Sequence, residues 1–104
     1  MCNLQQRNNS EIADERLTNL RNKIDEIDSI IIKQLSNRMQ VSKEIAYIKA
    51  SHNITIFQPN RYRQVVEQRI AQAETLGLSP QLIKELYEKI HAESVRIQGL
   101  EGNQ

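Results

Sequence analysis

The sequence predicts an all-α fold made of one long and two shorter helices. Among its 104 residues only three are glycine and two are proline, whereas Leu, Ile, Glu, Gln and Lys are plentiful, a balance that favours helices over sheets. Apolar residues recur at steps of three and four through the first half of the chain, which is the period of an amphipathic helix. The length is that of one domain with a modest core.

The first helix is predicted from about Glu11 to Ala50. Neither proline nor glycine interrupts this stretch, so nothing in it is expected to break a helix. Its apolar stripe consists of Leu17, Leu20, Ile24, Ile27, Ile31, Leu35 and Ile45.

The second helix is predicted from Pro59 to about Leu76, after a partly extended loop at residues 51–58. Pro59 suits the first turn, because the N–H that proline lacks would have no partner there. Gly77 then ends the helix.

The third helix is predicted from Pro80 to about Leu100. Ser79 is of the residue type that caps a helix, and Pro80 suits the first helical position. We therefore expect a flexible polar leader at residues 1–13, one helical domain at residues 14–100 and a short tail at residues 101–104.

Composition and charge exclude several kinds of partner and location. The formal net charge is only +1, which argues against binding to nucleic acid. The first ten residues are polar, so we expect neither a secretory signal nor a membrane span, and we expect a cytoplasmic protein. His52 and His91 have no cysteine or second histidine at ligand spacing, so both are predicted to be solvated, and no metal site is expected.

The first helix is too long for a compact monomer. About forty residues give a length of roughly 60 Å, whereas a domain of this size has a radius of gyration of about 13 Å. The two shorter helices, laid end to end, can cover one side of it. The rest of its apolar stripe needs a partner, most simply the same helix of a second copy, so a homodimer is expected. The alternative is a monomeric bundle with a protruding arm.

Two cations lie on this apolar stripe. Arg38 and Lys49 share one face to within about 20° and lie roughly 16 Å apart along the helix, with Ser42 on the same line. Cations on a core-facing stripe are costly unless an anion meets them. Either the two side chains extend to solvent or pair with internal carboxylates, or this face binds an anionic ligand.

Polar side chains on the other two helices favour the second interpretation, that this face binds an anionic ligand. Ser94 falls inside the apolar face of the third helix with Gln98 at its edge, and Arg61 stands near the start of the second helix. Each alone is compatible with a local backbone hydrogen bond or with solvent exposure. Together, three cations, an amide and a hydroxyl with no matching buried acid predict a lining for a small dianion.

These residues, together with the run from Leu20 to Asp28, carry a resemblance to a known family. Residues 14–100 resemble the all-helical bacterial chorismate mutases, domains that are often fused to other shikimate-pathway enzymes. The resemblance implies an intertwined homodimer of three-helix subunits with two identical sites. It also implies that Arg21 reaches into the partner's site, and that a further enzyme of the pathway is associated with or fused to the domain.

The resemblance also implies a reaction. Chorismate mutases convert chorismate to prephenate by an intramolecular Claisen rearrangement, which needs no cofactor, nucleophile or general base. Lys49 and Gln98 would flank the ether oxygen, which gains negative charge as the C–O bond breaks. Arg38 would be the third catalytic residue.

The implied binding residues complete the site. Arg38 and Arg21 of the partner subunit would clamp the two carboxylates, Arg61 would line the same basic pocket, and Ser94 would hydrogen-bond near the ring carboxylate. Many relatives have a glutamate directly after the arginine that matches Arg61, where it holds the substrate hydroxyl, and an acidic residue three positions before that arginine. The corresponding residues here, both counted among the substrate-binding positions, are Tyr62 and Gln58.

That departure leaves the substrate open between chorismate and isochorismate. The first alternative is an isochorismate-pyruvate lyase, which uses a similar cationic pocket. The second alternative is a non-catalytic helical dimer that serves as a docking or regulatory module. This second interpretation explains the long first helix but leaves the cations on its apolar face unexplained.

Overall fold

The computed structural model describes residues 8–102 of the chain. Its three α-helices are α1 (Asn9–Ser51), α2 (Pro59–Thr75) and α3 (Pro80–Gly102). The predicted all-α class, with one long and two shorter helices, is confirmed. In this part of the chain, no helix is long and apolar enough to cross a lipid bilayer.

The first helix begins two residues earlier than the sequence predicts. Oδ1 of Asn8 accepts a hydrogen bond from the backbone N–H of Glu11 at 2.7 Å, which satisfies one of the donors that a first turn leaves free. Residues 9–13, assigned above to a flexible leader, are therefore helical. Residues 101–102, assigned above to the tail, belong to the third helix. Residues 1–7 of the leader and residues 103–104 of the tail lie outside the described residues.

The chain divides into two compact units, Met1–Asn37 and Arg38–Gln104, and α1 contributes to both. In the first unit, the described residues belong to α1 apart from its cap, Asn8. Five apolar side chains of the predicted stripe are between 46% and 56% exposed there: Leu17, Leu20, Ile24, Ile27 and Ile31. The sequence analysis predicts that a second copy of the chain covers this surface. The homodimer stays a prediction.

The second unit joins the end of α1 to α2 and α3. α2 and α3 pack against each other, while side-chain hydrogen bonds connect α1 to α3. The buried apolar residues of this unit are Ala46, Ala73, Ile83 and Ile90. Three polar residues are equally buried among them, namely Ser42, Ser94 and Gln98.

The loop after α1 reverses the chain sharply. Asn53 has a φ of 56°, and the N–H of Ile54 donates to the carbonyl of Lys49 at 2.8 Å. A left-handed residue followed by this bond is a Schellman motif, and asparagine tolerates the left-handed conformation better than most residues. The reversal brings the carbonyl of Ile56 within 2.6 Å of the Lys49 ammonium.

The connection between α2 and α3 follows the predicted signals. Gly77 has a φ of 74°, and the N–H of Leu78 donates to the carbonyl of Ala73 at 2.9 Å, which again forms a Schellman motif. Oγ of Ser79 accepts a hydrogen bond from the backbone N–H of Leu82 at 3.3 Å. The sequence prediction that Gly77 ends one helix and Ser79 caps the next is therefore confirmed.

Candidate active site

The second unit contains a pocket of about 510 Å³, a volume suited to a small organic ligand. The end of α1, the following loop, α2 and α3 all contribute side chains to its wall. Seven of the eight residues predicted to form the site line it: Arg38, Lys49, Gln58, Arg61, Tyr62, Ser94 and Gln98.

One side of the pocket is a hydrogen-bonded cluster around Ser94. Oγ of Ser94 accepts a hydrogen bond from Nη1 of Arg38 at 3.0 Å and lies 3.2 Å from Oγ of Ser42, which donates to it. Its own hydroxyl hydrogen points to Sδ of Met39 at 3.7 Å, and a thioether is a weak acceptor. The guanidinium of Arg38 also lies 6.0 Å from the ring centroid of Tyr87. The cluster thus holds Arg38 at the pocket and leaves Ser94 a hydroxyl hydrogen that a stronger acceptor can take.

A second cluster surrounds Lys49. Its Nζ donates to the carbonyl of Ile56 at 2.6 Å and to Oε1 of Gln98 at 2.9 Å. Because an ammonium only donates, the oxygen of the Gln98 amide must face it, and the NH₂ end is turned away. One N–H of the ammonium remains beyond these two contacts. Burial lowers the pKa of Lys49.

Arg61 and Gln58 occupy more exposed positions on the pocket wall. Nη1 of Arg61 donates to Oε1 of Gln64, one turn along α2, at 2.9 Å. Gln58 precedes α2 in an extended conformation, and its side chain does not cap the helix. Arg69 also lines the pocket and was not predicted, although its spacing of two turns from Arg61 puts both on one face of α2.

His91 contradicts the sequence prediction that it is solvated. Its ring stacks on the ring of Tyr62 with centroids 4.1 Å apart and lies 5.5 Å from the ring of Phe57. Its Nε2 is buried, and no hydrogen-bond partner for this atom lies among residues 8–102. His91 lines the pocket together with Tyr62.

The surroundings of His91 favour its neutral form. Burial, and then the positive charges of Arg38 and Lys49, lower the pKa of this imidazole. The sequence does contain one indication that His91 belongs to the pocket. His91, Ser94 and Gln98 follow each other at steps of three and four and therefore lie on one face of α3. That spacing marks a shared face, but it does not reveal that rings of the loop and of α2 partly cover His91.

The charge of the pocket is strongly one-sided. Within the described part of the chain, its lining includes four cationic side chains and no carboxylate. The four cations are Arg38, Lys49, Arg61 and Arg69. Guanidinium and ammonium groups without a protein counter-charge suit an anionic ligand, in accordance with the predicted dianion.

Arg21, the eighth predicted residue, belongs to the first unit. Its side chain is exposed on α1, and it is not among the described residues that line the pocket. Its expected contribution to the site of a partner subunit stays a prediction. Residues 8–102 contain no group of three or more His, Cys, Asp or Glu side chains that could hold a metal ion.

Comparison with known proteins relates the same residues to one family. The family model of chorismate mutase type II matches residues 20–99, a range that includes all eight predicted site residues. The T-protein of Enterobacter agglomerans is 31% identical over 78 residues, which are 75% of this chain and 21% of the T-protein. The chain thus spans about a fifth of the length of that relative.

Two relatives have names that mention a substrate. The 4-amino-4-deoxychorismate mutase of Streptomyces pristinaespiralis is 27% identical over 86 residues, or 83% of this chain and 67% of that protein. The chorismate mutase of Methanocaldococcus jannaschii is 38% identical over 53 residues, or 51% of this chain and 54% of that protein.

Proposed function

This chain belongs to the chorismate mutase type II family, and we propose that it is a cytoplasmic chorismate mutase that converts chorismate to prephenate without a cofactor. The observation that carries the proposal is the contact between Lys49 and Gln98. It leaves two hydrogen-bond donors free, the remaining N–H of the ammonium and the NH₂ of the amide, on two residues that line a cationic pocket.

The cations account for substrate binding. Chorismate carries two carboxylates, and guanidinium groups hold carboxylates through paired charge-assisted hydrogen bonds. Arg38 is fixed for this task by its bond to Ser94 at 3.0 Å, and Arg61 adds a second guanidinium at the pocket wall. Arg21 of the partner subunit would complete the clamp.

The Lys49–Gln98 pair accounts for catalysis. In the rearrangement the ether C–O bond breaks while a new C–C bond forms in the same molecule, so no atom is gained or lost. Negative charge develops on the ether oxygen, and donors fixed before the reaction stabilise that charge without having to reorganise. The remaining residues hold the substrate in the chair-like conformer from which it reacts.

We further propose that the enzyme is a homodimer. The exposed apolar stripe of α1 supports this, since five of its side chains are between 46% and 56% exposed in the first unit and a second copy of the helix would cover them. A relative in Aquifex aeolicus, 40% identical over 53 residues, is named a bifunctional chorismate mutase/prephenate dehydratase, which supports association or fusion with another enzyme of the pathway.

A second candidate substrate comes from the relatives. Because one of them is named for 4-amino-4-deoxychorismate and aligns with 83% of this chain, the amine analogue of chorismate is also a candidate. The isochorismate-pyruvate lyase is a third possibility, since it requires a similar pocket. A docking module without activity would require neither the buried amide of Gln98 beside the half-buried ammonium of Lys49 nor a pocket with four cations and no carboxylate among its described lining residues.

The proposal is tested by incubating the purified protein with chorismate, isochorismate and the 4-amino analogue in parallel. Chromatography identifies the products as the ultraviolet absorbance of each substrate falls. Formation of prephenate supports the mutase. Salicylate and pyruvate from isochorismate alone would replace it with the lyase, and no turnover of any substrate would favour the docking module.

A further inference from the structure

One cation of the pocket wall has no role in the proposed function. This cation is Arg69 of α2, a half-buried residue that lines the pocket. The carboxylates of the substrate are assigned to Arg38, Arg61 and a residue of the partner subunit, and the ether oxygen is assigned to Lys49 and Gln98. A guanidinium that faces a pocket and lacks a protein counter-charge suits an anionic ligand.

Arg69 has no carboxylate partner in the part of the chain that the structure describes. A helix places carboxylates beside an arginine when they stand three or four residues away. Around Arg69 these positions are occupied by Val65, Val66, Gln72 and Ala73. Within residues 8–102, its guanidinium has neither a hydrogen bond nor an ion pair, and no described residue of the pocket wall is acidic. The donors of Arg69 are therefore available to a ligand.

The packing of α2 on α3 places Arg69 toward the connection between the two helices. Only residues 76–79 join them, so the helices run antiparallel. The stacked rings of Tyr62 and His91, with centroids 4.1 Å apart, fix their register. Arg69 follows Tyr62 by seven residues, which puts it about 10 Å nearer the connection. Tyr87 precedes His91 by four residues, which puts it about 6 Å nearer the connection.

Arg38 reaches the same part of the pocket from α1. Its Nη1 donates to Oγ of Ser94 at 3.0 Å, and its guanidinium carbon lies 6.0 Å from the ring centroid of Tyr87. The guanidinium of Arg38 is thus close to the part of α3 between Ser94 and Tyr87. Arg69 approaches the Tyr87 side of this region from α2.

The contact between Lys49 and Gln98 lies toward the opposite end of the pocket. Gln98 follows His91 by seven residues, about 10 Å along α3 and away from the connection, and Lys49 is bonded to it. A ligand whose ether oxygen lies at this contact therefore extends a carboxylate toward Arg38. Arg69 is the further cation on that side.

We propose that Arg69 is a substrate-binding residue that holds the ring carboxylate of chorismate together with Arg38. This inference rests on the proposed function. Ser94, which accepts from Arg38 at 3.0 Å, is expected near the same carboxylate. A carboxylate has about four lone-pair sites, so it can accept from both guanidinium groups. The two arginines belong to one subunit and act in addition to Arg21 of the partner subunit.

This role affects binding rather than turnover. The ring carboxylate keeps its charge through the rearrangement, so its contact with Arg69 is equally strong in the substrate and in the transition state. Loss of such a contact raises KM and leaves kcat nearly unchanged. Arg69→Met should therefore raise KM for chorismate at least about tenfold, while kcat changes by less than about threefold.

Two further variants control for charge and for position. Arg69→Lys keeps the positive charge but loses the planar fork, so it should raise KM about threefold, which also tests the inference if Arg69→Met does not fold. Arg63→Met is the matched control, because Arg63 is exposed on α2 and does not line the pocket. It should keep the KM of the wild type. Circular dichroism checks that each variant is helical.

Binding of prephenate separates this inference from the proposed function. Prephenate retains both carboxylates, and calorimetric titration gives its dissociation constant without turnover. If chorismate is not converted but Arg69→Met binds prephenate at least about tenfold more weakly than Arg63→Met does, the proposed function fails and the role of Arg69 stands. If chorismate is converted and the two variants have equal KM values and equal dissociation constants, the mutase stands and Arg69 does not bind the substrate. Neither conversion of chorismate nor binding of prephenate by the wild type would overturn both.

Discussion

The ammonium of Lys49 lies 2.9 Å from Oε1 of Gln98, and this contact determines which end of the amide faces the pocket. Lysine can only donate, so the amide must present its oxygen to Lys49 and its NH₂ group elsewhere. Gln98 is buried, which leaves its side chain few other orientations. A donor pair of this kind is prepared for a developing negative charge before any ligand arrives.

Gln98→Glu should make turnover dependent on acid. An amide donates at every pH, whereas a carboxyl group donates only when it is protonated. Lys49, next to the introduced carboxyl, lowers its pKa, so the protonated form is reached only in acid. The kcat of the variant should therefore rise as the pH falls, whereas the kcat of the wild type should not show this rise. A flat pH profile of the variant would show that Gln98 does not donate to the reacting oxygen.

Ser94→Ala should lower the free energy of unfolding by roughly 1–2 kcal/mol. The substitution removes the acceptor of Arg38 and of the buried Ser42, and a buried donor without a partner is costly. Urea unfolding at one fixed protein concentration measures the change. The matched control is Ser51→Ala, because Ser51 is exposed and its hydroxyl donates to the carbonyl of Tyr47 in its own helix. Equal losses in the two variants would contradict the role of the Ser94 cluster.

His91→Leu should make stability less sensitive to mild acid. The pKa of His91 in the folded state is lowered from 6.5, so as the pH falls through 6.5 the unfolded chain takes up a proton that folded His91 still resists. The unfolded state then binds more protons, and the free energy of unfolding falls with pH until the lowered pKa is reached.

Melting temperatures measured between roughly pH 7.5 and pH 5.5 test this prediction. The wild type should lose more stability over that range than His91→Leu. The control His52→Gln removes a histidine that is exposed, and it should behave like the wild type. A wild type and a His91→Leu variant with parallel pH curves would show that His91 takes up its proton equally easily in both states.

Mixing two inactive variants should restore activity if each site uses Arg21 of the partner subunit. Arg21→Ala and Lys49→Ala damage different residues, so in a mixed dimer one of the two sites has both wild-type side chains. Random re-association of equal amounts should therefore give about a quarter of the wild-type activity. If Arg21 acted within its own subunit, mixed dimers would contain no intact site, and no activity would return.

The helices and the cationic face could be predicted from the sequence because both depend on local rules. Pro59, Gly77 and Ser79 mark helix ends through backbone geometry that each residue type imposes on its neighbours. Arg38 and Lys49 share a face because the period of a helix is fixed. Their convergence on one pocket therefore follows from their spacing.

The environment of His91 could not be predicted in this way. Its ring meets Tyr62 at 4.1 Å and Phe57 at 5.5 Å, and both partners lie about thirty residues away, in α2 and in the loop before it. No periodicity encodes such a contact. The bond from Lys49 to the carbonyl of Ile56 was missed for a related reason, because it depends on the left-handed turn at Asn53.

The most direct test of the account is the rate at which Lys49→Ala converts chorismate to prephenate. Removing one fixed donor from a developing oxyanion should reduce kcat at least about a hundredfold. Lys84→Ala is the matched control, since Lys84 is exposed on α3 and does not line the pocket, and it should retain full activity. If Lys49→Ala forms prephenate as fast as the wild type, the ammonium does not stabilise the transition state, and the proposed mechanism is wrong.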